Sequence, residues 1–258
     1  SMIKRSIGSW EKPLHELRAD LGLPAMRSYA QFEGQYAPSG NLALFSRTLA
    51  TPQVDWPPDT SVCGFSRYDG KPVDPDLKLE LDDWVSAGPA PVVFTLGSSV
   101  SMYATDFFCM AIDAARQIGR RALLITGQDP AQYDAPIAAA GLVPGPIKVF
   151  RYLPYSAVFP HAAVTVHQGG IGTLAQALAA GKPQLIVPVG FDQPDNARRA
   201  VRLGIARSIP FQKLAAGAMA TSLRDLLASP APAAKALTIA RTVSTEEQEQ
   251  HAAALLAT

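Results

Sequence analysis

Two polar segments in the carboxyl-terminal half of the chain have residue types that can hold a diphosphate and a sugar. They are His167-Gln168-Gly169-Gly170-Ile171-Gly172-Thr173 and Asp192-Gln193-Pro194-Asp195-Asn196. The glycines of the first segment let the backbone approach an anion closely, and a helix that begins there adds unpaired N–H groups and the positive end of its dipole. We expect His167 to add a side-chain donor and Thr173 a hydroxyl to a diphosphate site.

The second segment has the polarity of a sugar site. Asp192 offers only acceptors, whereas the amide of Gln193 both donates and accepts, so the pair can bracket neighbouring hydroxyls of a sugar ring. Two simpler alternatives stay open: the glycine-rich loop is an ordinary strand-to-helix turn, or Asp192 only caps a helix that begins near Pro194. The glycine spacing matches neither the dinucleotide pattern G-x-G-x-x-G nor the P-loop, which needs a Lys after its last glycine.

The elements around these segments predict an α/β fold, a Rossmann-like parallel sheet with helices on both faces. From Pro89 onward, short apolar runs alternate with helical periods. The predicted strands are 91–96, 121–126, 148–150, 163–166 and 184–189, and the predicted helices are 106–118, 174–180 and 194–203. Gly119, Gly127, Gly181 and Gly204 end elements. In such a sheet, ligands bind at the carboxyl ends of the strands, where we place Gly97-Ser98-Ser99 and the two polar segments.

The remainder of the chain is organised differently on either side of this domain. After Ile209 the pattern is helical, over 211–227, 233–241 and 245–256, with Ser244 or Thr245 as a candidate cap of the last helix. The first 88 residues show no core of their own, although a strand is expected over 41–45 and a helix over 77–85. We predict a remnant of a preceding domain with its linker over 1–88, the ligand-binding domain over 89–243, and a terminal helix over 244–258 that crosses back. Ser1-Met2 is typical of a cleavage scar, so we expect a truncated chain.

Composition excludes several classes of function. Lys and Arg total 23 against 22 Asp and Glu, so no global field attracts nucleic acid or an anionic membrane. No apolar run reaches the length of a membrane span, and no secretory signal opens the chain, so we expect a cytoplasmic protein. Cys63 and Cys109 have no ligand or redox spacing and are interpreted as reduced packing residues. No metal cluster is expected, because Asp74, Asp76, Asp82 and Asp83 fit a solvated linker better than a ligand set.

A set of anchored motifs is similar to the donor signature of the UDP-glycosyltransferase superfamily. The motifs are Tyr152-Leu153-Pro154-Tyr155-Ser156, Phe159-Pro160-His161, the segment 167–173, Gly181-Lys182-Pro183, Pro188 and Asp192-Gln193-Pro194-Asp195-Asn196-Ala197. The chain resembles the bacterial, family 1 branch related to sterol and macrolide glycosyltransferases over residues 56–210, and more weakly over 21–24 and 43–46.

The resemblance implies the donor-binding half of a GT-B fold, in which two Rossmann-like domains face each other. It implies that Tyr152 stacks on the nucleotide base and that the Leu153 backbone reads the base edge; Tyr152 as ordinary core filler stays an alternative. It further implies a diphosphate site of His167, Gly169, Gly170, Gly172 and Thr173 with Ser98 or Ser99, and a sugar site of Asp192 and Gln193. Gln176 stands where many members have a Glu that accepts from both ribose hydroxyls, which leaves UDP or dTDP as carrier.

For the whole enzyme the resemblance implies inverting transfer of a hexose, such as glucose, from UDP or dTDP to a hydroxyl of a small lipophilic acceptor, without a metal. The family's base is a His in the first domain. The surroundings of His15 do not match that site, so we expect the base and the acceptor pocket to lie in an absent domain and this chain to be inactive alone. The alternatives are a donor-binding subunit of a split enzyme and a GT-B epimerase. Self-association through the exposed interdomain surface is also expected.

Overall fold

The computed structural model of the chain describes residues 8–26, 29, 36–37, 39–66, 68–70, 72–97, 103–141 and 146–245. The chain divides into two compact units. The first comprises Ser1–Ala43 and Pro52–Val62, and the second comprises Leu44–Thr51 and Cys63–Thr258.

The first unit is small and has little regular structure in its described part. A 3-10 turn over Gly8–Glu11 leads into helix α1, Lys12–Asp20, which has no buried residue. Strands β1, Asn41–Ala43, and β2, Thr60–Val62, form a two-stranded parallel sheet in which Asn41 pairs with Thr60. The strand predicted over 41–45 is therefore present but ends at Ala43.

The second unit is built on a six-stranded parallel sheet. Its strands are β3, Val92–Thr95; β4, Ala122–Ile125; β5, Ile147–Phe150; β6, Val164–His167; β7, Gln184–Ile186; and β8, Ala206–Ser208. They lie in the order β5-β4-β3-β6-β7-β8. The order reverses direction between β3 and β6, and a crevice at such a switch point is where open α/β sheets bind ligands.

Helices cover both faces of this sheet. They are α2, Pro75–Ser86; α3, Ala104–Ile118; α4, Asp134–Ala139; α5, Tyr155–Val158; α6, Ile171–Ala179; α7, Gln193–Arg202; α8, Ala216–Ala228; and α9, Ala231–Thr245. Alternate residues of β3 face opposite cores: Val92 and Phe94 pack with α3 and α8, whereas Val93 packs with α2 and α5. The near-continuous apolar strands follow from this double covering.

The predicted Rossmann-like sheet is confirmed, with corrections to individual elements. Strand β8 and the short helices α4 and α5 were not predicted. The single helix predicted over 211–227 is wrong in its first turn, because Phe211–Lys213 is a separate 3-10 turn and α8 begins at Ala216. Gly119, Gly127, Gly181 and Gly204 all have a positive φ at the predicted ends.

Helix α9 runs past its predicted end at residue 241. The Ser244 hydroxyl donates to the Ala240 carbonyl at 2.8 Å and the Thr245 hydroxyl to the Thr242 carbonyl at 2.8 Å. Both side chains thus bond back into the last turns of α9, and Ser244 does not begin a new helix. Residues 246–258 of the predicted terminal helix lie outside the described residues.

Part of the region predicted as remnant and linker packs into the second unit. Phe65 and Leu81 are buried in its core clusters. The Arg121 guanidinium stacks 3.8 Å from the ring centroid of Trp84 and donates to the Trp84 carbonyl. The compact α/β unit includes the chain from Cys63 onward, so it begins before the predicted boundary at residue 88. The origin of residues 1–88 as a remnant of a preceding domain and its linker stays a prediction.

Candidate functional site

The glycine loop lies at the carboxyl end of β6, beside the switch point. His167 is the last residue of β6, Gly170 is the N-cap of α6, and the first helical bond runs from the Leu174 amide to the Gly170 carbonyl at 2.9 Å. Within the described part of the chain, no side chain caps this helix. The amides of its first turn therefore have no side-chain cap and lie at the positive end of the helix dipole, which is a favourable position for an anion.

Gly169 is required by backbone geometry rather than by ligand approach alone. Its φ is 90°, and a Cβ atom there would lie 2.7 Å from Cγ2 of Ile186. Its amide donates to Nδ1 of His167 at 3.0 Å, and its carbonyl accepts from Nδ2 of Asn196 at 2.9 Å. The Gly169 amide, which was predicted to hold a diphosphate, is thus already bonded inside the protein.

His167 is fully buried and bonded at both ring nitrogens. Because Nδ1 accepts from Gly169, the proton is on Nε2, which donates to Oε1 of Gln184 at 3.0 Å. Burial lowers the pKa of His167 to about 4, against a smaller opposing effect of the Gln184 bond, so the ring is neutral at pH 7. In this structure the ring positions the glycine loop, and a role for His167 as a side-chain donor to the diphosphate stays a prediction.

Thr173 is also engaged within the protein. Its side chain is buried, and it lowers the pKa of the nearby Tyr155 hydroxyl, which lies 3.0 Å from Oγ1 of Thr95 on β3. The Tyr155 ring stacks on Phe159 at 4.7 Å, and burial raises the pKa of Tyr155 more than Thr95 and Thr173 lower it. Because the Thr173 side chain is buried, the backbone amide of Thr173 is the better candidate for an anion contact.

Asp192 and Gln193 lie in the turn between β7 and α7, but the first side chain is exposed and the second is buried. Asp192 is exposed, caps no backbone amide among the described residues, and accepts from Nδ2 of Asn196 at 2.7 Å. Gln193 is buried, and its Oε1 accepts from the amides of Val189 at 2.9 Å and Gly190 at 3.3 Å. Asp192 is therefore available to a ligand, whereas the Gln193 oxygen holds the turn.

A cavity of about 510 Å³ opens beside the glycine loop at the carboxyl ends of β3, β4 and β5. Tyr152 lines it and is 53% exposed, which does not fit the alternative of a core filler. Leu153 also lines it, with its side chain buried. Gly97 connects the cavity to the loop, because a Cβ atom there would overlap the side-chain amide of Gln168. Ser98 and Ser99, predicted to help hold the diphosphate, lie outside the described residues.

The segment Tyr68-Asp69-Gly70 also lines this cavity and was not predicted. The Asp69 carbonyl accepts from the Tyr152 hydroxyl at 2.9 Å, and Oδ1 of Asp69 accepts from Nε2 of Gln176 at 2.9 Å. Gly70 has a φ of 70°, and a Cβ atom there would lie 2.8 Å from the Tyr152 hydroxyl. The Asp-Gly pair signals a turn in the sequence, but nothing in the sequence pairs that turn with Tyr152 or Gln176.

Outside the candidate site, the two cysteines form no disulfide, and Cys63 is buried whereas Cys109 is half-buried. Asp74 caps α2, accepting from the amides of Asp76 and Leu77, and Asp82 pairs with Lys78 at 2.6 Å. The described residues contain no cluster of three potential metal ligands, and none of the described helices is long and apolar enough to span a membrane.

Comparison with known proteins shows which family model and which enzymes this chain is similar to. The model of the EryCIII-like C-terminal domain, described as erythromycin biosynthesis protein CIII-like, matches residues 133–256. O-mycaminosyltylonolide 6-deoxyallosyltransferase from Streptomyces fradiae is 31% identical over 256 residues, covering 98% of this chain and 58% of that protein. The chain is thus similar to glycosyltransferases that have an EryCIII-like C-terminal domain.

Two solved glycosyltransferases share the fold. The kitacinnamycin glycotransferase aligns with a TM-score of 0.71 and 23% identity, over 97% of this chain and 61% of that one. The glycosyltransferase VinC, solved in complex with DTDP, aligns with a TM-score of 0.64 and 23% identity, over 84% of this chain and 51% of that one. The α/β unit is therefore the kind of domain found in GT-B enzymes, and the chain spans between half and two thirds of the length of these relatives.

Proposed function

We propose that this chain is the donor-binding part of an inverting glycosyltransferase that uses a nucleoside diphosphate sugar. The observation that carries the proposal is the cavity with the exposed Tyr152, whose lining residue Gly97 lies against Gln168, just before the uncapped start of α6 at the switch point of the sheet. The transferase activity of the Streptomyces fradiae relative supports this reaction class rather than epimerisation of the donor.

In this proposal each part of the site binds one part of the donor. The base stacks on Tyr152 with the Leu153 backbone along its edge, and the diphosphate lies at the amides of Gly170, Gly172 and Thr173. Asp192 accepts from hydroxyls of the transferred sugar. Ser98 and Ser99 follow the strand that ends at the cavity and keep their predicted place beside the diphosphate.

The chemistry is a direct displacement with inversion. An acceptor hydroxyl loses its proton to a base, its oxygen bonds to the anomeric carbon, and the bond from that carbon to the diphosphate oxygen breaks. The fixed amides and dipole of α6 stabilise the charge that grows on the departing diphosphate. His167 is buried and bonded at both ring nitrogens, and the residues around His15 do not resemble the family's catalytic segment, so we assign the base to a further domain that also binds a small lipophilic acceptor.

We favour dTDP over UDP as the carrier. Gln176 donates one of its two amide N–H groups to Asp69, and its oxygen is the one side-chain atom that can accept from a sugar hydroxyl. Deoxyribose has one free ring hydroxyl to donate, whereas ribose has two. The DTDP complex of VinC supports the same choice.

Calorimetric titration with dTDP, UDP and their glucose conjugates tests the proposal. We expect dTDP to bind more tightly than UDP, and Asp192→Asn to weaken binding of dTDP-glucose but not of dTDP. Asp225→Asn is the matched control, because Asp225 is an exposed residue of α8 that pairs with Arg207 at 3.1 Å. Absence of binding by all four ligands would disprove the donor site.

We also propose a cytoplasmic location, since Cys63 and Cys109 are not joined in a disulfide, which is usual in a reducing compartment. Self-association through a surface that normally meets the other domain remains a prediction, which sedimentation of the chain at several concentrations tests.

A further inference from the structure

Phe191 is an exposed aromatic residue in a backbone conformation that phenylalanine rarely adopts. Its φ is 58°, in the left-handed region, and the residue is 89% exposed. Glycine would satisfy this φ without strain, and an exposed aromatic ring gains no burial energy in return. Neither the turn nor the core therefore accounts for a phenylalanine here.

The turn that carries Phe191 is held firmly on both sides. The Gln193 side chain, buried beneath it, accepts from the amides of Val189 and Gly190, and the Gln193 amide donates to the Gly190 carbonyl at 3.2 Å. These bonds span Phe191 and keep its backbone in the strained conformation, so the ring projects from a fixed point.

That fixed point adjoins the proposed donor site. Nδ2 of Asn196 donates both to Oδ2 of Asp192 at 2.7 Å and to the Gly169 carbonyl at 2.9 Å, so one side chain links the Phe191 turn to the glycine loop. A Cβ atom on Gly169 would also lie 3.4 Å from the Gln193 carbonyl. A hexose attached to a diphosphate at the start of α6 is therefore within reach of the turn.

We propose that Phe191 stacks against the transferred sugar and favours sugars with an apolar ring face. This inference rests on the proposed donor function. The C–H groups of a hexose carry partial positive charge and pack on the negative face of an aromatic ring. A 6-deoxyhexose has a methyl group in place of the hydroxymethyl group of glucose, so it presents more apolar surface to the ring.

Titration of the full chain with dTDP, dTDP-glucose and dTDP-6-deoxyglucose tests the stacking. Phe191→Gly removes the ring and relieves the strain, so we expect its Tm to equal or exceed that of the parent. Its affinity for dTDP-glucose should fall about five- to tenfold, and that for dTDP-6-deoxyglucose should fall further, while dTDP binds as before. Asp59→Gly is the control, since Asp59 is the other described non-glycine residue with a positive φ, at 53°.

The outcomes separate the two proposals. If the parent binds dTDP and both sugars, and Phe191→Gly binds all three equally well, the stacking is overturned and the donor site stands. If the parent binds no dTDP, the donor function itself is overturned. Phe191→Tyr keeps the aromatic ring, whereas Phe191→Leu keeps only an apolar side chain. Equal affinities of these two variants for dTDP-glucose and dTDP-6-deoxyglucose would also overturn the stacking. This comparison does not depend on the stability of the Phe191→Gly variant.

Discussion

At the scale of single residues, the imidazole of His167 couples protonation to folding. It is neutral and bonded at both nitrogens, with a pKa lowered to about 4 from an ordinary value of 6.5. Between these two values the unfolded chain binds a proton that the folded chain does not. The stabilisation of the folded state by this neutral ring is therefore complete above about pH 6.5, and it is lost progressively as the pH falls towards 4.

We predict that the free energy of unfolding falls between pH 7.5 and pH 4.5, with a His167 contribution on the order of 2 kcal/mol. Urea unfolding at both pH values measures it, with His167→Gln as the reference that lacks the titrating ring. Carboxylates that titrate in this range affect both proteins alike, so only the difference between them reports on His167. An equal pH dependence in the two proteins would contradict the assignment.

The pair of Asp69 and Gln176 gives a second prediction at this scale. Gln176→Glu places a second carboxylate beside Asp69, and the unfavourable pair should lower the free energy of unfolding at pH 8 by about 1–3 kcal/mol. Adding Asp69→Asn restores a donor to the new carboxylate and should recover the stability. Urea unfolding of the two single variants and the double variant forms a cycle, and additive effects would show that the contact is unimportant.

At the scale of elements, the join between β6 and α6 depends on one glycine. Gly169 has a φ of 90° and no room for a Cβ atom beside Ile186, whereas Gly172, in the first turn of α6, has no atom within 4 Å of its Cβ position. The backbone geometry therefore requires glycine at position 169 but not at position 172.

Gly169→Ala is predicted to lower the free energy of unfolding by about 1–3 kcal/mol, because it adds left-handed strain and a steric overlap. Gly172→Ala, a substitution of the same type three residues away, should leave stability unchanged or raise it by about 0.5–1 kcal/mol. Guanidinium unfolding of both variants measures the difference. Comparable losses in both would mean that the loop is not held by the geometry at Gly169.

At the scale of the whole molecule, the second unit brings the carboxyl ends of β3 to β7 to one edge, where loops distant in the chain form one site. A ligand that binds only the folded unit stabilises it by mass action. Trp84 belongs to this unit, through α2, whereas Trp10 and Trp56 belong to the first. A variant with Trp10→Phe and Trp56→Phe therefore has a tryptophan reporter in the α/β unit alone.

We predict that dTDP at a hundred times its dissociation constant raises the free energy of unfolding reported by Trp84 by about 2.7 kcal/mol. Urea unfolding followed by tryptophan fluorescence, with and without the nucleotide, measures the shift. The same concentration of inorganic diphosphate is the control for a nonspecific anion effect. A shift of equal size with diphosphate would argue against a nucleoside pocket at Tyr152.

The sequence by itself determined the parallel α/β sheet, because strands buried on both faces are apolar runs and glycines with a positive φ mark where helices end. It also placed the glycine loop and Asp192 at one edge of the sheet. Strand β8 was not predicted, because Ala206-Arg207-Ser208 is a short edge strand with a single buried residue and no apolar run.

Only the tertiary structure decided how the polar side chains use their hydrogen bonds. His167 bonds to Gln184 on the neighbouring strand, and Gln176 bonds to Asp69, 107 residues away. Residue types state which donors and acceptors are present, but partners far apart in the chain are chosen by packing, which brings their atoms within 3 Å. For that reason the loops that meet at the candidate site could be predicted from the sequence, while the hydrogen bonds among their side chains could not.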